Sequence, residues 1–464
     1  MAETIGKNSA KFSAEEIRLA TKALPNHTVS PQYPIQGVAT DSRYVEPTNL
    51  FVALKGERFD AHDFLQEVAQ KNAGAALVER MDKKWLVLQF LVKDTLLALG
   101  DLARFHRRRF SISLIGITGS YGKTSTRTLL DAALSSKFKI LSSKANFNNE
   151  IGVPMTLFQL DDEDEDAILE MGMRGRGQID YLAKVAEPTI GVITNIGPQH
   201  IESLGSLDEI ALAKAELIEN LPESGLAVLP FDSPYFEILR AKTRARIVSF
   251  GTREGADYRA EDVRTLPNGE VAFRISSIEI RLPMPGIHNA LNACAAFAVA
   301  HQMGVAPEAI ADALKGAELP GARMRVVRAL SGATVIDDCY NAGPDSMRAA
   351  LQTLLDFPGS GRRVAILGDM KELGDFSEAE HQKIGQFAGQ FLDLLVGVGG
   401  ETRPLLNSAI RAASDVEQAM EVHWFPDATE AREEVAPMIR KSDVVLVKGS
   451  RSVGLEAVVE ELTK

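Results

Sequence analysis

Residues 116–125 have the sequence Gly-Ile-Thr-Gly-Ser-Tyr-Gly-Lys-Thr-Ser and lie between an apolar run, Ile112–Ile117, and a helix-compatible segment, Ser125–Leu134. A strand, a glycine-rich loop and a helix in this order are typical of phosphate sites, because backbone N–H groups and the helix N-terminus attract anions. The first glycine is not at the usual P-loop spacing, so a plain tight turn is the alternative. The stretch predicts a nucleotide phosphate site formed by Thr118, Gly119, Ser120, Gly122, Lys123, Thr124 and Ser125.

The composition is that of a globular protein with about three domains. The chain has 464 residues, 45% of them hydrophobic, and a formal net charge of −12. The only basic block, Arg107–Arg109, is expected on a solvated face, so a nucleic-acid partner is not indicated. Cys294 and Cys339 lack zinc spacing and are expected to be small buried residues. No apolar run reaches 18 residues and residues 1–10 lack a signal-peptide core, so we expect a cytoplasmic protein without membrane insertion.

Alternating short apolar runs and helical patterns predict an α/β protein of three domains. Residues 1–109 are expected to form a small α/β domain, and residues 110–320 a phosphate-loop domain with a mainly parallel sheet. Residues 321–464 contain apolar runs at 334–336, 364–367, 394–398 and 444–447, which predict a Rossmann-like, doubly wound sheet.

The N-terminal third contains one distinctive passage, Thr40-Asp41-Ser42-Arg43, followed by a predicted strand at Leu50–Leu54 and then Lys55. Loops beside strands commonly hold ligand hydroxyl or phosphate groups. The alternative is a local salt bridge between Asp41 and Arg43, with His62 capping a helix.

In the middle third, Glu170 follows the apolar run Ala167–Leu169, and His200 follows the predicted strand Ile190–Ile193. Both are expected at the sheet edge that carries the phosphate loop, where ligands bind in parallel sheets. Glu170 is therefore a better Mg²⁺ candidate than the acidic run 161–166, which is expected to be a solvated loop. The amide-rich run 146–154, with Asn148 and Asn149, can hold polar ligand atoms or form an Asx turn.

Two further segments contain polar residues in helical contexts. Lys214 lies within a predicted helix, Ser206–Asn220, where it has the pattern of a surface lysine. His288, Asn289 and Asn292 occupy the first turns of an alanine-rich helix, where they can contact a base or cap the helix.

The motifs together resemble those of the Mur ligases, ATP-dependent amide-forming enzymes of peptidoglycan precursor synthesis. The resemblance covers nearly the whole chain, in order: TGSYGKTS (118–125), EMG (170–172), NIGPQH (195–200), AKAE (213–216), GIHNALN (286–292), the Arg323 region and DDCYNAGP (337–344). The folate polyglutamate and cyanophycin synthetases share the phosphate loop and several of these motifs.

Within the family, the resemblance implies the activity that joins D-alanyl-D-alanine to UDP-N-acetylmuramoyl-tripeptide through an acyl phosphate. The passage from Thr40 to Phe64 is similar to a uridine-nucleotide-binding domain, and residues 148–154 and 367–374 are similar to the dipeptide-adding enzyme. The Asp-Asn-Pro-Arg string of the diamino-acid-adding ligase is absent from the sequence. That ligase, or another amino-acid ligase of the family, is the alternative; a nucleotide-binding regulatory protein without catalysis is the alternative from another class.

The resemblance also implies residue roles. Lys123 and Arg323 act on the phosphates, and two Mg²⁺ ions are held by Thr124, Glu170, His200 and a Lys214 carbamylated by CO₂. Asn289, Asn292, Arg323, Asp338 and Tyr340 contact ATP. Because these contacts are divided between the middle and last domains, we expect a hinge near Gly321 to close the site. The expected substrate contacts are Ser42, Arg43, Lys55, Asn148, Asn149, Asn341, Lys448, Ser450 and Arg451. The protein is expected to be a monomer.

Overall fold

The computed structural model describes residues 7–84, 87–144 and 146–464. Within them, three α/β domains follow one another along the chain, which confirms the predicted fold class. No helix among these residues is long and apolar enough to cross a bilayer.

The N-terminal domain contains the elements between Lys11 and Arg107. Its main sheet has the strand order β2-β7-β6-β5-β4, in which β4 to β7 are parallel, and β1 pairs with β3. Its strands are Lys11–Ser13 (β1), Leu24–Pro25 (β2), Pro34–Gln36 (β3), Val38–Ala39 (β4), Leu50–Val52 (β5), Ala75–Val78 (β6) and Gln89–Leu91 (β7). Its helices are Ala14–Thr21 (α1), Leu65–Gln70 (α2) and Thr95–Arg107 (α3).

The central domain is built on the strand order β16-β15-β14-β13-β12-β11-β8-β10-β9. Strands β8 to β13 are parallel to their neighbours, and β14 is parallel to β13, whereas β14, β15 and β16 form an antiparallel meander. The strands are Ser113–Thr118 (β8), Ile140–Ser142 (β9), Asp166–Glu170 (β10), Ile190–Ile193 (β11), Leu226–Pro230 (β12), Arg246–Gly251 (β13), Tyr258–Thr265 (β14), Val271–Ile275 (β15) and Ile278–Leu282 (β16).

Helices cover both faces of the parallel part of the central sheet, so its inner strands β8, β10, β11 and β12 are almost wholly buried. They are Lys123–Leu134 (α4), Gly152–Leu157 (α5), Gln178–Ala186 (α6), Ile201–Leu204 (α7), Leu207–Glu219 (α8), Phe236–Arg240 (α9), Ile287–Gln302 (α10) and Pro307–Lys315 (α11). The apolar side of α10 packs on the sheet through alanines and Cys294, which is buried as expected.

The C-terminal domain is a doubly wound sheet with the order β17-β18-β22-β19-β20-β21, in which only the edge strand β17 is antiparallel. The strands are Arg325–Arg328 (β17), Thr334–Asp337 (β18), Arg363–Gly368 (β19), Leu394–Val398 (β20), Glu421–Phe425 (β21) and Val444–Lys448 (β22). The helices are Pro344–Asp356 (α12), Ser377–Ala388 (α13), Thr402–Asp415 (α14), Ala428–Val435 (α15) and Glu456–Thr463 (α16).

Two expectations about charged runs are wrong in part. Arg107 is not solvated: it is 6% exposed, and its guanidinium donates to the carbonyl oxygens of Ala186, Phe110 and Ile112 at the junction of the first two domains. The acidic run is a turn only in its first part, because Asp166 begins β10 and is buried.

Candidate active site

The phosphate loop, residues 119–122, connects the C-terminal end of β8 to the N-terminus of α4. Gly122 has φ +77°, and a Cβ there would lie 2.4 Å from the Asn292 Oδ1 atom. A Cβ on Gly119 would lie 1.8 Å from Thr194 Oγ1. The loop conformation therefore requires glycine at both positions. The Ser120 hydroxyl bonds the N–H and the carbonyl of Gly197, both at 2.8 Å, which ties the loop to the segment after β11.

Lys123, at the first turn of α4, is bound by its own loop. Its ammonium donates to the Gly119 carbonyl at 2.7 Å and to the Ser120 carbonyl at 3.4 Å. Burial lowers the pKa of Lys123, against the opposing influence of Glu170. The lysine therefore lies where it can exchange carbonyl oxygens for phosphate oxygens.

Glu170, the last residue of β10, lies beside the phosphate loop as expected. Its Oε2 atom accepts from the Thr124 hydroxyl at 2.9 Å, and its Oε1 atom accepts from the Asn148 amide at 2.9 Å. The Arg127 Nε atom is 3.9 Å from Oε2. Glu170 is 3% exposed, and its carboxylate is held in one orientation by two side chains of α4 and one side chain of the loop after β9.

His200 and Lys214 complete the central-domain side of the site. Burial, followed by the positive charges of Lys123, Lys214 and Arg174, lowers the pKa of His200 to about 4. Lys214 is not a surface lysine: it is 1% exposed, and burial together with repulsion from Lys123 lowers its pKa well below that of an ordinary lysine. Burial therefore favours the neutral amine at this position more than a solvated surface would.

The donor atoms beside the loop suit a hard cation. Thr124 and Glu170 present a hydroxyl and a carboxylate to the same cavity, and oxygen ligands are those that Mg²⁺ prefers. In the part of the chain that the structure describes, no three His, Cys, Asp or Glu side chains are grouped as a metal site. Further ligands to a cation would have to come from other groups.

Arg323 and Tyr340 bring the C-terminal domain to the site. The Arg323 Nη2 atom is 3.4 Å from the Thr124 hydroxyl, and its Nε atom is buried without a hydrogen-bond partner. The Tyr340 hydroxyl donates to the Asn146 side chain of the central domain. The two domains therefore meet across the phosphate loop.

A cavity of about 530 Å³ lies at this junction. The expected site residues that line it are Ser120, Gly122, Lys123, Thr124, Asn148, Asn149, Glu170, His200, Lys214, Arg323, Tyr340 and Asn341. Cavity residues that the motifs did not single out are Glu150, Arg174, Gln178, Asp345, Ser346 and Glu372. Glu150 and Glu372 lie within the stretches 148–154 and 367–374 quoted above, but side-chain direction decides which residues of such a stretch face the cavity.

Several expected residues lie beside the cavity rather than on it. Asp338 pairs with Lys448 at 2.5 Å, and Lys448 also donates to the Asn341 carbonyl. Asn292 accepts from the Thr126 hydroxyl, and Asn289 donates to the Pro285 carbonyl. Others of this kind are Thr118, Gly119, Ser125, Ser450 and Arg451.

The N-terminal candidates form a separate group that does not line this cavity. Arg43 makes the local salt bridge with Asp41 that was the alternative interpretation, and the Ser42 hydroxyl donates to Glu67. His62 does not cap a helix: its Nε2 atom accepts from the Glu79 N–H, while Nδ1 lies 2.6 Å from Asp60. Lys55 forms a β-bridge with Asp60.

Comparisons with known proteins agree with this architecture. The chain matches the Mur ligase family catalytic domain at residues 34–107, the Mur ligase middle domain at residues 117–300 and the Mur ligase glutamate ligase domain at residues 322–451. The UDP-N-acetylmuramoyl-tripeptide–D-alanyl-D-alanine ligase of Bacillus subtilis (strain 168) is 36% identical and covers 98% of this chain and 98% of its own length.

Two solved structures extend the likeness to three dimensions. A crystal structure of MurF from Acinetobacter baumannii has a TM-score of 0.90 and 34% identity, covering 98% of this chain and 99% of that one. MurF ligase from Thermotoga maritima in complex with ADP has a TM-score of 0.81 and 29% identity, covering 92% and 96%. These findings confirm the resemblance drawn from the motifs: the chain belongs to the Mur ligase family.

Proposed function

We propose that the protein joins D-alanyl-D-alanine to UDP-N-acetylmuramoyl-tripeptide, with cleavage of ATP to ADP and phosphate. The observation that carries this proposal is the cavity in which Lys123, Glu170 and Lys214 of the central domain face Arg323 of the C-terminal domain. The full-length relative from Bacillus subtilis named above supports the dipeptide as second substrate over a single amino acid. The product, UDP-N-acetylmuramoyl-pentapeptide, is a precursor of peptidoglycan and so serves cell-wall growth, shape and division.

Amide formation from a carboxylate requires activation, because the anion repels nucleophiles and oxide is a poor leaving group. The terminal carboxylate of the tripeptide attacks the γ-phosphorus of ATP, and ADP leaves. The amine of the dipeptide then attacks the acyl-phosphate carbonyl, loses a proton, and phosphate leaves as the tetrahedral intermediate collapses. The chain stabilises the transferring phosphoryl group with Lys123 and Arg323, which lie on opposite domains of one cavity.

Mg²⁺ is the cofactor that the proposal adds to ATP. Thr124, Glu170 and His200 would hold it, since their oxygen and nitrogen donors lie around the phosphate loop. Bound there, it would neutralise negative charge on the phosphates. Two ions are expected; because no three His, Cys, Asp or Glu side chains of the described residues are grouped as a metal site, the second ion would need a further anionic ligand there.

Carbamylation of Lys214 would supply that anion. The reaction consumes the neutral amine: the nitrogen bonds the carbon of CO₂ and one proton is released. The burial of Lys214 and the repulsion from Lys123 favour the neutral amine, and an anion at this position would turn that repulsion into attraction. These two features support the modification.

Three further assignments belong to the same proposal. The three domains have the limits 1–109, 110–320 and 321–464. The uridine nucleotide binds to the N-terminal domain near Ser42, Arg43 and Lys55. The reaction is placed in the cytoplasm, where ATP is available. A monomer suffices, since residues of one chain line the cavity.

The experiment is phosphate release from ATP with UDP-N-acetylmuramoyl-tripeptide and D-alanyl-D-alanine, or single amino acids in its place. We expect turnover with the dipeptide alone. A Lys123→Ala variant gives the background rate, and an exposed Lys184→Ala variant is the matched control. Turnover with a single amino acid would contradict the proposed substrate, and phosphate release independent of any amine would contradict ligation.

A further inference from the structure

The loop after β19 carries an acidic side chain in an unfavourable backbone conformation. Glu372 has φ +64°, in the left-handed region that non-glycine residues rarely adopt. Such conformations persist only where the surrounding structure enforces them, and they cluster at functional sites. The environment of residues 369–373, here called the β19 loop, shows how this one is enforced.

The β19 loop is anchored on both sides of Glu372. The Met370 N–H donates to the Nε2 atom of the buried His381 at 3.1 Å, and Met370 itself is 0% exposed. The Lys371 N–H donates to Ser450 Oγ at 3.0 Å. Leu373 is 2% exposed in the domain core. These contacts leave Glu372 as the one residue of this loop that projects from a fixed base into the cavity.

Asp369, at the start of the loop, fixes it further. Its Oδ1 atom accepts from the backbone N–H groups of Glu401 and Thr402 at 2.9 and 3.1 Å, at the N-terminus of α14. Its Oδ2 atom accepts from the Lys371 ammonium at 2.9 Å. The acid and the base that precede Glu372 are thus both engaged within the C-terminal domain, and neither neutralises Glu372.

The Glu372 carboxylate crosses to the central domain. Its Oε2 atom lies 3.2 Å from His200 Nδ1, while 60% of the side chain remains exposed in the cavity. Within residues 7–84, 87–144 and 146–464, this carboxylate has no lysine or arginine partner. By contrast, Glu170 is bonded by Thr124 and Asn148.

The other unpaired acids of the cavity are less suited to a cationic ligand. A Cβ on Gly197 would lie 1.6 Å from Asp345 Oδ2, so this carboxylate is packed directly against the segment after β11. Glu150 acts electrostatically on Tyr181, which bonds the Leu96 carbonyl of the N-terminal domain. The charge of Glu150 therefore acts on the α6 side of the cavity.

The dipeptide brings one positive group to the site, its α-ammonium, which must approach the acyl phosphate beside the phosphate loop. We infer that Glu372 binds the ammonium group of the incoming D-alanyl-D-alanine, which gives up one proton before the nitrogen attacks, and so selects for an unsubstituted amino group; this inference rests on the proposed function. A carboxylate–ammonium hydrogen bond is among the stronger polar contacts, and here it would form next to the atoms that react.

The test compares two ligands that differ only in the amine. D-Alanyl-D-alanine is the substrate, and propionyl-D-alanine, which lacks the amine, is an inhibitor that should fill the same site. In Glu372→Gln we expect the KM for the dipeptide to rise about 10- to 100-fold, as for loss of a charge-assisted hydrogen bond. The inhibition constant of propionyl-D-alanine and the KM values for ATP and the tripeptide should stay within about 2-fold.

Two variants make the result decisive. Glu378→Gln removes an exposed carboxylate from α13, outside the cavity, and should leave all constants unchanged. Glu372→Gly also removes the carboxylate but suits the left-handed backbone, so it should fold at least as well as the wild type and show the same loss of dipeptide binding.

Three outcomes would overturn the inference. One is an unchanged dipeptide KM in Glu372→Gln. Another is equal weakening of the dipeptide and propionyl-D-alanine, which would mean that Glu372 shapes the site without binding the amine. The third is a fall in kcat alone, which would mean that it acts through His200. Failure of the wild type to use the dipeptide would instead contradict the proposed function.

Discussion

The Arg323 guanidinium lies 3.6 Å from the centre of the Tyr340 ring, so that the arginine lies between an aromatic face and Thr124 in the first turn of α4. Both residues belong to the C-terminal domain, but the groups they reach, the Thr124 hydroxyl and the Asn146 side chain, belong to the central domain. This stack is a cation–π contact that fixes the plane of the guanidinium.

Replacing Arg323 by lysine should weaken both ATP binding and turnover, because an ammonium cannot stack flat on Tyr340 or donate two parallel hydrogen bonds to phosphate. We expect kcat/KM for ATP to fall about 10- to 100-fold, as for loss of a charge-assisted hydrogen bond. Steady-state kinetics check this, with Arg328→Lys on the exposed side of β17 as the control. Equal constants for the two variants would show that the stack has no part in ATP use.

Lys214→Ala should lose activity and regain part of it with formate or acetate. These anions can occupy the space of a carbamate but cannot replace an ammonium. We expect a loss of about 100-fold. Rescue should be saturable and absent in Lys123→Ala, where the missing group is a cation. Undiminished activity of Lys214→Ala, or rescue by methylamine instead of formate, would contradict carbamylation.

Asp345→Asn should stabilise the protein at alkaline pH. Burial, followed by repulsion from Glu380, raises the pKa of Asp345 to about 6 from an ordinary value of 3.8. The folded state therefore binds this proton more tightly than the unfolded state, and stability is lost as the pH rises from about 4 through 6. The variant removes this loss.

Urea unfolding should show the Asp345→Asn gain as about 2–3 kcal/mol at pH 8 and less than about 1 kcal/mol at pH 4. Asp375→Asn changes an exposed carboxyl of the same domain. It is the control and should change the unfolding free energy at neither pH. A gain that is the same at both pH values would mean that packing, and not the ionised carboxyl, is responsible.

A disulfide between positions 202 and 374 should stop turnover reversibly. A Cβ at Gly374 would lie 3.2 Å from the Glu202 Cβ, close to the span of a disulfide between the C-terminal and central domains. If product release requires the domains to part, the oxidised Glu202→Cys/Gly374→Cys variant should be inactive and recover on reduction.

The native thiols should not interfere with this experiment, because Cys294 and Cys339 are buried and burial raises the pKa of Cys294 to about 12. The two single variants are the controls. Full turnover of the oxidised double variant would show that the domains need not separate in the catalytic cycle.

The elements around the phosphate loop could be predicted from the sequence because their signals are local. An apolar run, two glycines and a helix-compatible segment fix β8 and α4 to within a few residues. The antiparallel strands from Tyr258 to Leu282 were not predicted. Which of their residues are buried depends on the face of the sheet that the helices cover, and this is a tertiary contact.

The missed residues depend on tertiary contacts that no local pattern encodes. Arg107 had the pattern of a surface residue because the three carbonyl oxygens that satisfy it come from two separate segments. Lys214 had the same pattern, and only the packing of α8 under the sheet shows its burial. Glu372 reaches the cavity because two domains dock.

The hydrogen bonds that Lys123 makes to Gly119 and Ser120 bear on how the loop selects its ligand. An anion that binds Lys123 must displace the two carbonyl oxygens from its ammonium group. The lysine therefore makes about as many hydrogen bonds with the anion bound as without it. A single weakly charged anion gains little from such an exchange, whereas a polyphosphate gains from several groups at once. We therefore expect the loop to bind a triphosphate in preference to small anions, because only the triphosphate gains several contacts in exchange for those of Lys123.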